Sequence, residues 1–138
     1  MKIGVMQPYF FPYMGYFQLI HAVDTYVNLD HVSFMKRSYM TRNTLKDGIS
    51  MNVNVKNGSQ NKKCTEVDVL FDKKYLDKFH KRLEMMYSRS PYYQTVMDEV
   101  VMSTFEERQV SISQFNLRGI KAVCDTWDSD TDIDSSEA

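Results

Sequence analysis

The first thirty residues of the chain alternate between strand and helix patterns in an order that few folds accommodate. Ile3-Gly4-Val5-Met6 is a short apolar run that ends at once in a proline-containing loop, as a buried strand does. Apolar residues then recur at helical spacing from Tyr16 to Val23, and residues 25–29 are mostly β-branched or aromatic, which is typical of a strand. Because two strands joined through a helix run parallel, this order predicts an α/β fold with a Rossmann-like parallel or mixed sheet.

The remainder of the chain divides into a polar middle and a helical C-terminal half. Residues 35–48 are polar and basic and predict a surface loop, whereas residues 49–55 and 65–69 alternate apolar and polar positions as half-buried strands do. Apolar faces at helical spacing then predict three helices. The residues expected to cap the first two are Asp72 and Ser90, and the third helix is expected to run from about Ser111 to Trp127. No repeat or linker composition interrupts this pattern, so residues 1–138 are expected to form a single α/β domain.

The charged residues are distributed unevenly along the chain. All 17 Lys and Arg residues lie before residue 125, and the last 14 residues hold six of the 18 acidic ones, so the net charge of −1 combines a mildly basic body with an acidic end. The basic residues are spread out and show no RRM, KH or helix-turn-helix pattern, so nucleic acid is not an expected partner. The acidic end invites comparison with a calcium-binding loop starting at Asp128, but Ile133 stands where that loop needs Gly. A solvated acidic end, or a strand beginning within residues 130–133, are the other interpretations.

Membrane, export and metal-binding patterns are absent from the sequence. No window approaches the ~18 consecutive apolar residues of a membrane span, and the apolar run after Lys2 is shorter than the ~7–15 residues of a signal-peptide core. Cys64 and Cys124 form no CxxC motif, and the three histidines are isolated from one another. We therefore expect a cytoplasmic protein with two reduced thiols and no metal site.

The densest feature is the aromatic segment, residues 7–17, in which six of the nine positions from Tyr9 to Phe17 carry aromatic rings. It follows the first predicted strand and therefore lies at the carboxyl edge of the sheet, the usual ligand crevice of open α/β folds. Gly15 permits close approach to the backbone, and the start of the next helix can hold an anion. The alternative is that the rings simply pack in the core, although each buried phenol then needs a hydrogen-bond partner.

Two further groups of polar residues are candidates for chemistry. Asp30 and His31 follow the second strand, where a carboxylate and an imidazole can perform acid–base catalysis; a turn with an exposed histidine is the alternative. Lys36, Arg37 and Arg42 lie in the polar loop and are suited to binding phosphate or carboxylate, with a solvated basic loop as the alternative.

The sequence resembles the WbqC-like proteins. The stretch QPYFFPYMGYFQLIHAVDTYVNLDHVSF, followed by Lys36 and by Arg42-Asn43, is similar to the opening of that family. The similarity continues through the helix that carries His80, through Ser90-Pro91-Tyr92-Tyr93, and through Asn116 to Ser135-Ser136. Family members normally continue past that serine pair, so the resemblance implies a domain that is short at its C-terminus.

This resemblance implies a function in surface-polysaccharide biosynthesis, because family members are associated with O-antigen genes and with glycine transfer or amino-sugar acylation. We therefore expect a small-group transferase that moves a glycine, aminoacyl or acyl group from a small-molecule donor to an amino sugar or related acceptor. The cofactor and the oligomeric state are left open. The expected catalytic residues are Asp30, His31 and Tyr16, and the expected substrate-binding residues are Gln7, Tyr13, Gly15, Lys36, Arg42, Asn43 and His80.

A second, more distant similarity concerns the nucleotidylyltransferases. These enzymes place an H-x-G-H motif between the first strand and the first helix, where Tyr13-Met14-Gly15-Tyr16 stands here. A tyrosine with its ordinary pKa of about 10 cannot supply the imidazolium of that motif. This similarity gives one alternative function, a nucleotide-binding protein of the nucleotidylyltransferase kind. Another alternative is a non-catalytic binding module or an inactive fragment.

Overall fold

The computed structural model describes residues 1–127 and 129–135. The strands are β1 Ile3–Met6, β2 Thr25–Asn28, β3 Arg42–Thr44, β4 Ser50–Asn52, β5 Asn54–Lys56, β6 Asp68–Leu70 and β7 Asp132–Ser135. The helices are α1 Met14–Ala22, α2 Lys73–Tyr87, α3 Tyr93–Val96, α4 Met102–Thr104 and α5 Ile112–Thr126, with a 3₁₀ turn at Lys46–Gly48 and a π-helical segment at Met97–Val101 that joins α3 to α4.

The central feature is a three-stranded parallel sheet with the order β1-β2-β7. Gly4, Tyr26 and Ile133 stand side by side in its register and face helices α1 and α5. Ile3 and Val5 point to the opposite face, where they are 58% and 49% exposed. Both helices therefore pack on one face of the sheet.

Two antiparallel hairpins follow the sheet along the chain, β3 with β4 and β5 with β6. The predicted strand 49–55 is divided between them. Its alternation is real, because Met51 and Val53 are buried, but the Val53 amide donates to the Thr41 carbonyl and the strand changes partner at that residue. One half of the predicted strand thus pairs with residues 42–44 and the other with residues 68–70.

Helices α2 and α5 begin where the sequence predicts. The Asp72 carboxylate accepts a hydrogen bond from the Tyr75 amide at 2.8 Å, and the Ser111 hydroxyl accepts one from the Gln114 amide at 3.1 Å. The prediction that Ser90 caps the next helix is wrong. The Ser90 carbonyl instead accepts from the Tyr93 amide in a turn, and the helix begins at Tyr93.

The buried side chains form two clusters. The sheet cluster contains Tyr16, Tyr26, Ile120 and Cys124 and lies between the sheet, α1 and α5. The larger cluster lies between the hairpins and helices α2 and α5, and Phe115 at its centre is fully buried. Burying such a side chain stabilises the fold by about 1.5–3 kcal/mol relative to leaving it in water.

These features confirm the mixed α/β class, a parallel sheet and helices in the C-terminal half. A sheet of three strands with its helices on one face does not define a Rossmann-like fold. The predicted surface loop 35–48 is also more structured than expected, because it contains β3 and the fully buried Met40. A strand near residues 130–133 is present as β7. Asp128 and Ser136 lie outside the described residues. The predicted calcium loop begins at Asp128, so this interpretation also concerns residues that are not described.

Candidate ligand-binding site

The aromatic segment leaves β1 and is fastened by two asparagine side chains. Asn116 Nδ2 donates to the carbonyl oxygens of Pro8 and Met40, at 3.0 and 2.9 Å. Asn43 Nδ2 donates to the Phe11 carbonyl at 2.8 Å. The side chain of Asn43, a predicted substrate-binding residue, thus stabilises the aromatic segment by binding its backbone.

Tyr16 lies inside the sheet cluster and is fully buried. Its hydroxyl donates to the Gln7 carbonyl at 2.6 Å and also shares a hydrogen bond with the Tyr26 hydroxyl. Burial raises the pKa of Tyr16 and of Tyr26 well above the usual value for a phenol, so both stay protonated at neutral pH. The catalytic role of Tyr16 remains a prediction, and its placement favours a structural role. Gln7 takes part in this arrangement through its backbone carbonyl.

Tyr13 and Gly15 form a contact at the start of α1. The Tyr13 ring is 63% exposed and lies against the Gly15 backbone, so that a Cβ on residue 15 would stand 2.5 Å from ring atom Cε2. Glycine at this position therefore makes room for the ring. The Tyr13 side chain is available to a ligand at the surface, whereas Gly15 is half-buried beneath the ring.

The carboxyl edge of β2 carries a set of buried polar side chains. Asp30 is only 5% exposed, and its carbonyl accepts a hydrogen bond from Cys64 Sγ at 3.1 Å, whereas His31 beside it is exposed. Asn28 is fully buried and its Nδ2 donates to Ser113 Oγ at 3.2 Å.

Two buried amide oxygens on this side of the sheet have no hydrogen-bond partner among the described residues. These are Asn28 Oδ1 and Asn116 Oδ1. A buried acceptor without a donor is costly, at about 1–3 kcal/mol, so such atoms suit an N–H or O–H donor from a water molecule or a ligand. Sequence reasoning missed Asn28 and Ser113 as site residues. The available signal was an asparagine at the end of an apolar strand, two residues before Asp30.

Three basic side chains converge on one groove, which we call the cationic groove. Lys36, Arg37 and Arg42 line it together with Ser50 and Asn52, and its volume is about 670 Å³. None of the three makes an ion pair with a carboxylate in the described part of the chain. Cations without carboxylate partners, beside hydroxyl and amide groups, are suited to binding phosphate or carboxylate.

The backbone at Arg37 supports this interpretation. Its φ is 55°, a left-handed conformation that a residue with a long side chain seldom adopts. Strain of this kind is concentrated at functional sites and costs about 1–3 kcal/mol. A second hollow of about 340 Å³ adjoins the groove and is lined by Arg37, Arg42, Asn43 and Tyr39. The structure therefore places Lys36 in the groove, Asn43 in the adjoining hollow and Arg42 in both, and their substrate-binding roles stay predictions.

His80 lies in a different place. It belongs to a hollow of about 560 Å³ on α2, beside Asp77, Asp98 and Glu106. None of the other predicted site residues lines that hollow. The structure thus does not bring His80 to the cationic groove, and its substrate-binding role stays a prediction.

Residues 1–127 and 129–135 show neither a metal-binding cluster nor a membrane-spanning helix. No group of three or more His, Cys, Asp or Glu side chains there is arranged to hold a metal ion, and no helix is long and apolar enough to cross a membrane. Cys64 and Cys124 are buried, and neither forms a disulfide within the described part of the chain. Burial raises the pKa of the Cys124 thiol to about 11, so the thiol stays protonated at neutral pH.

Fold and site together define an α/β protein with a cationic groove and a polar sheet edge. Residues 7–138 match the WbqC-like protein family, and the chain belongs to that family, as the aromatic segment predicted. The chain is similar to the uncharacterized protein Rv1507c of Mycobacterium tuberculosis (strain ATCC 25618 / H37Rv), with 31% identity over 129 residues. That match covers 89% of this chain and 54% of the relative, so the chain spans about half the length of the curated protein it matches. No solved structure matches the chain significantly.

Proposed function

We propose that this protein is a cytoplasmic small-group transferase of surface-polysaccharide biosynthesis. It moves a glycine, aminoacyl or acyl group from an anionic donor to an amino sugar or related acceptor. The observation that carries the proposal is the convergence of Lys36, Arg37 and Arg42, without carboxylate partners among the described residues, on a groove of about 670 Å³. A donor that carries a phosphate or carboxylate supplies the negative charge that balances these cations.

In this proposal the basic side chains hold the donor, and Asp30 acts on the acceptor. Arg42 binds the donor anion with two parallel hydrogen bonds, and Lys36 adds a point charge. The acceptor amine attacks the carbonyl carbon of the transferred group, the bond from that carbon to the leaving group breaks, and the amine proton passes to Asp30. His31 lies next in the chain and is the candidate for returning a proton to the leaving group.

The nucleotidylyltransferase alternative draws less support from the placement of its motif. Tyr16 is buried with its hydroxyl bonded to the Gln7 carbonyl and the Tyr26 hydroxyl, and the Tyr13 ring covers Gly15. The side chains that would replace the two imidazoles therefore do not line a common phosphate site.

Binding of the donor tests the cationic groove. We expect Arg42→Ala to weaken binding of a nucleotide-sugar and of pyrophosphate about 10- to 150-fold, because a hydrogen bond to a charged group contributes about 1.5–3 kcal/mol. Arg89→Ala is the matched control, since Arg89 is exposed and lies outside the groove. Isothermal titration calorimetry gives both affinities, and equal affinities in the two variants would refute the assignment.

Turnover tests the transferase step separately. Asp30→Asn is expected to retain donor binding and to lose product formation, measured by mass spectrometry with glycyl or acyl donors and an amino-sugar acceptor. Binding without turnover in the unmodified protein would instead indicate the non-catalytic binding module.

A further inference from the structure

An apolar pocket of about 390 Å³ lies between the aromatic segment, the β3–β4 hairpin, α2 and the helical region 93–101. None of the predicted substrate-binding or catalytic residues lines it. It is also distinct from the cationic groove, because the two share no lining residue. Met51 of β4 faces the apolar pocket, whereas its neighbours Ser50 and Asn52 face the cationic groove, so the hairpin separates the two sites.

The pocket is a concavity in the larger cluster and not part of a flat surface. Its floor includes Phe79, Leu83 and Met97, which keep between 5% and 8% exposure. Side chains deeper in the same cluster, such as Phe10 and Phe115, are 1% exposed or less. The floor residues keep this small exposed area because the pocket opens into the cluster.

The chemistry of the walls selects an uncharged ligand. No charged side chain of the described residues lines the pocket. Tyr87, Tyr92 and Tyr93 also line it, and Tyr92 is 75% exposed at the mouth. The Tyr87 hydroxyl accepts a hydrogen bond from the Lys46 amide at 2.8 Å, which fixes one wall. Apolar walls with a few polar atoms at the rim are typical of sites for apolar small molecules.

Two backbone irregularities occur in the wall of this pocket. Phe11 has a φ of 40°, and the hydrogen bond from Asn43 to its carbonyl holds it there. The opposite wall includes the π-helical segment Met97–Val101, a helix type that is rare and frequent at functional sites. Core packing alone requires neither a strained aromatic residue nor a π-helical turn. Their occurrence at the same pocket therefore favours a ligand site.

We propose that the apolar pocket binds the aliphatic chain of a small molecule. A dry cavity of about 150 Å³ holds benzene, so a pocket of this size accommodates a chain of roughly eight to twelve carbon atoms. This inference does not depend on the proposed transferase function, because it uses a different site with different lining residues.

A homologous series of n-alkanols, from hexanol to dodecanol, tests the proposal on the full chain. Isothermal titration calorimetry is expected to show saturable binding that tightens about fourfold with each added methylene and then levels off when the pocket is full. Absence of saturable binding, or affinity independent of chain length, would overturn the proposal.

A pair of tryptophan variants locates the binding. Val96 is 42% exposed and lines the pocket, whereas Met102, 48% exposed and on the same run of helix, does not. Val96→Trp is expected to weaken decanol binding at least tenfold and Met102→Trp to leave it unchanged. Equal binding in both variants contradicts the proposal. So does a dimer, seen by analytical ultracentrifugation, that Val96→Trp dissociates while decanol has no effect, because a second copy then occupies the pocket.

Discussion

Asparagine side chains connect parts of the chain that the backbone ladders leave apart. Asn116 ties α5 to Pro8 and Met40, which are 108 and 76 residues away in sequence. Asn43 ties β3 to the end of the aromatic segment. Each amide group satisfies backbone carbonyls in a loop that regular secondary structure cannot reach. The position of the aromatic segment, and hence of the sheet edge, depends on these few side chains.

Tyr16 is the residue whose placement most changes its expected role, and one substitution distinguishes the roles. Tyr16→Phe removes the donor to the Gln7 carbonyl and leaves buried polar atoms unpaired, so we expect a loss of about 1–3 kcal/mol in the free energy of unfolding. Tyr13→Phe changes an exposed phenol and is expected to cost less than about 0.5 kcal/mol. Urea denaturation measures both values. If the two variants are equally stable, the structural role of the Tyr16 hydroxyl is wrong.

At the scale of the elements, the helix starts differ in how their caps are made, and this gives a direct comparison. Ser111→Ala removes the acceptor for the Gln114 amide at the start of α5 and is expected to cost about 1 kcal/mol, measured by urea denaturation. Ser90→Ala is the control, because Ser90 precedes α3 without capping it and is exposed. Its expected cost is within about 0.5 kcal/mol. A Ser90→Ala variant as unstable as Ser111→Ala would restore Ser90 as a cap.

Local patterns in the sequence predict the elements better than they predict the partners of those elements. The parallel β1–β2 pair and the starts of α2 and α5 follow from periodicity and caps, which act within a few residues. The division of strand 49–55 between two hairpins depends on Thr41 and Val53, which meet only in the fold.

The candidate site shows the same division between local and distant information. The basic loop could be proposed as a candidate anion site from composition alone. The unpartnered oxygens of Asn28 and Asn116 could not, because residues 28 and 116 meet the same sheet edge only after α5 has packed against it.

Over the whole molecule, helix α5 joins the two hydrophobic clusters. Phe115 near its start belongs to the larger cluster, and Ile120 and Cys124 further along belong to the sheet cluster. The sheet cluster is unusual because it contains three ionisable groups, Tyr16, Tyr26 and Cys124, all less than a tenth exposed. A change in the protonation of these groups therefore acts on the packing of the sheet against both of its helices.

These buried groups predict a loss of stability at alkaline pH. Burial raises the pKa of Tyr16 and Tyr26 above the value of about 10 for a free phenol, and raises that of Cys124 from about 9 to about 11. Well below pH 9, near neutral pH, the groups are protonated in both states, and their contribution to the free energy of unfolding is constant. Above it the unfolded chain loses protons that the folded chain keeps, so ionisation favours unfolding.

The pH range of this loss of stability distinguishes the thiol from the phenols. Between pH 9 and pH 10 the thiol accounts for a decrease of about 1 kcal/mol, and the phenols, whose free pKa is about 10, add increasingly to the slope towards and above pH 10. Cys124→Ala is expected to flatten the decrease between pH 9 and pH 10, whereas Tyr13→Phe, at an exposed phenol, leaves the curve unchanged in shape. Urea denaturation at half-unit steps from pH 7 to pH 11 measures the curves. If Cys124→Ala and the unmodified chain lose stability in parallel over that interval, burial does not raise the pKa of the Cys124 thiol. The sheet cluster then admits more water than its packing indicates.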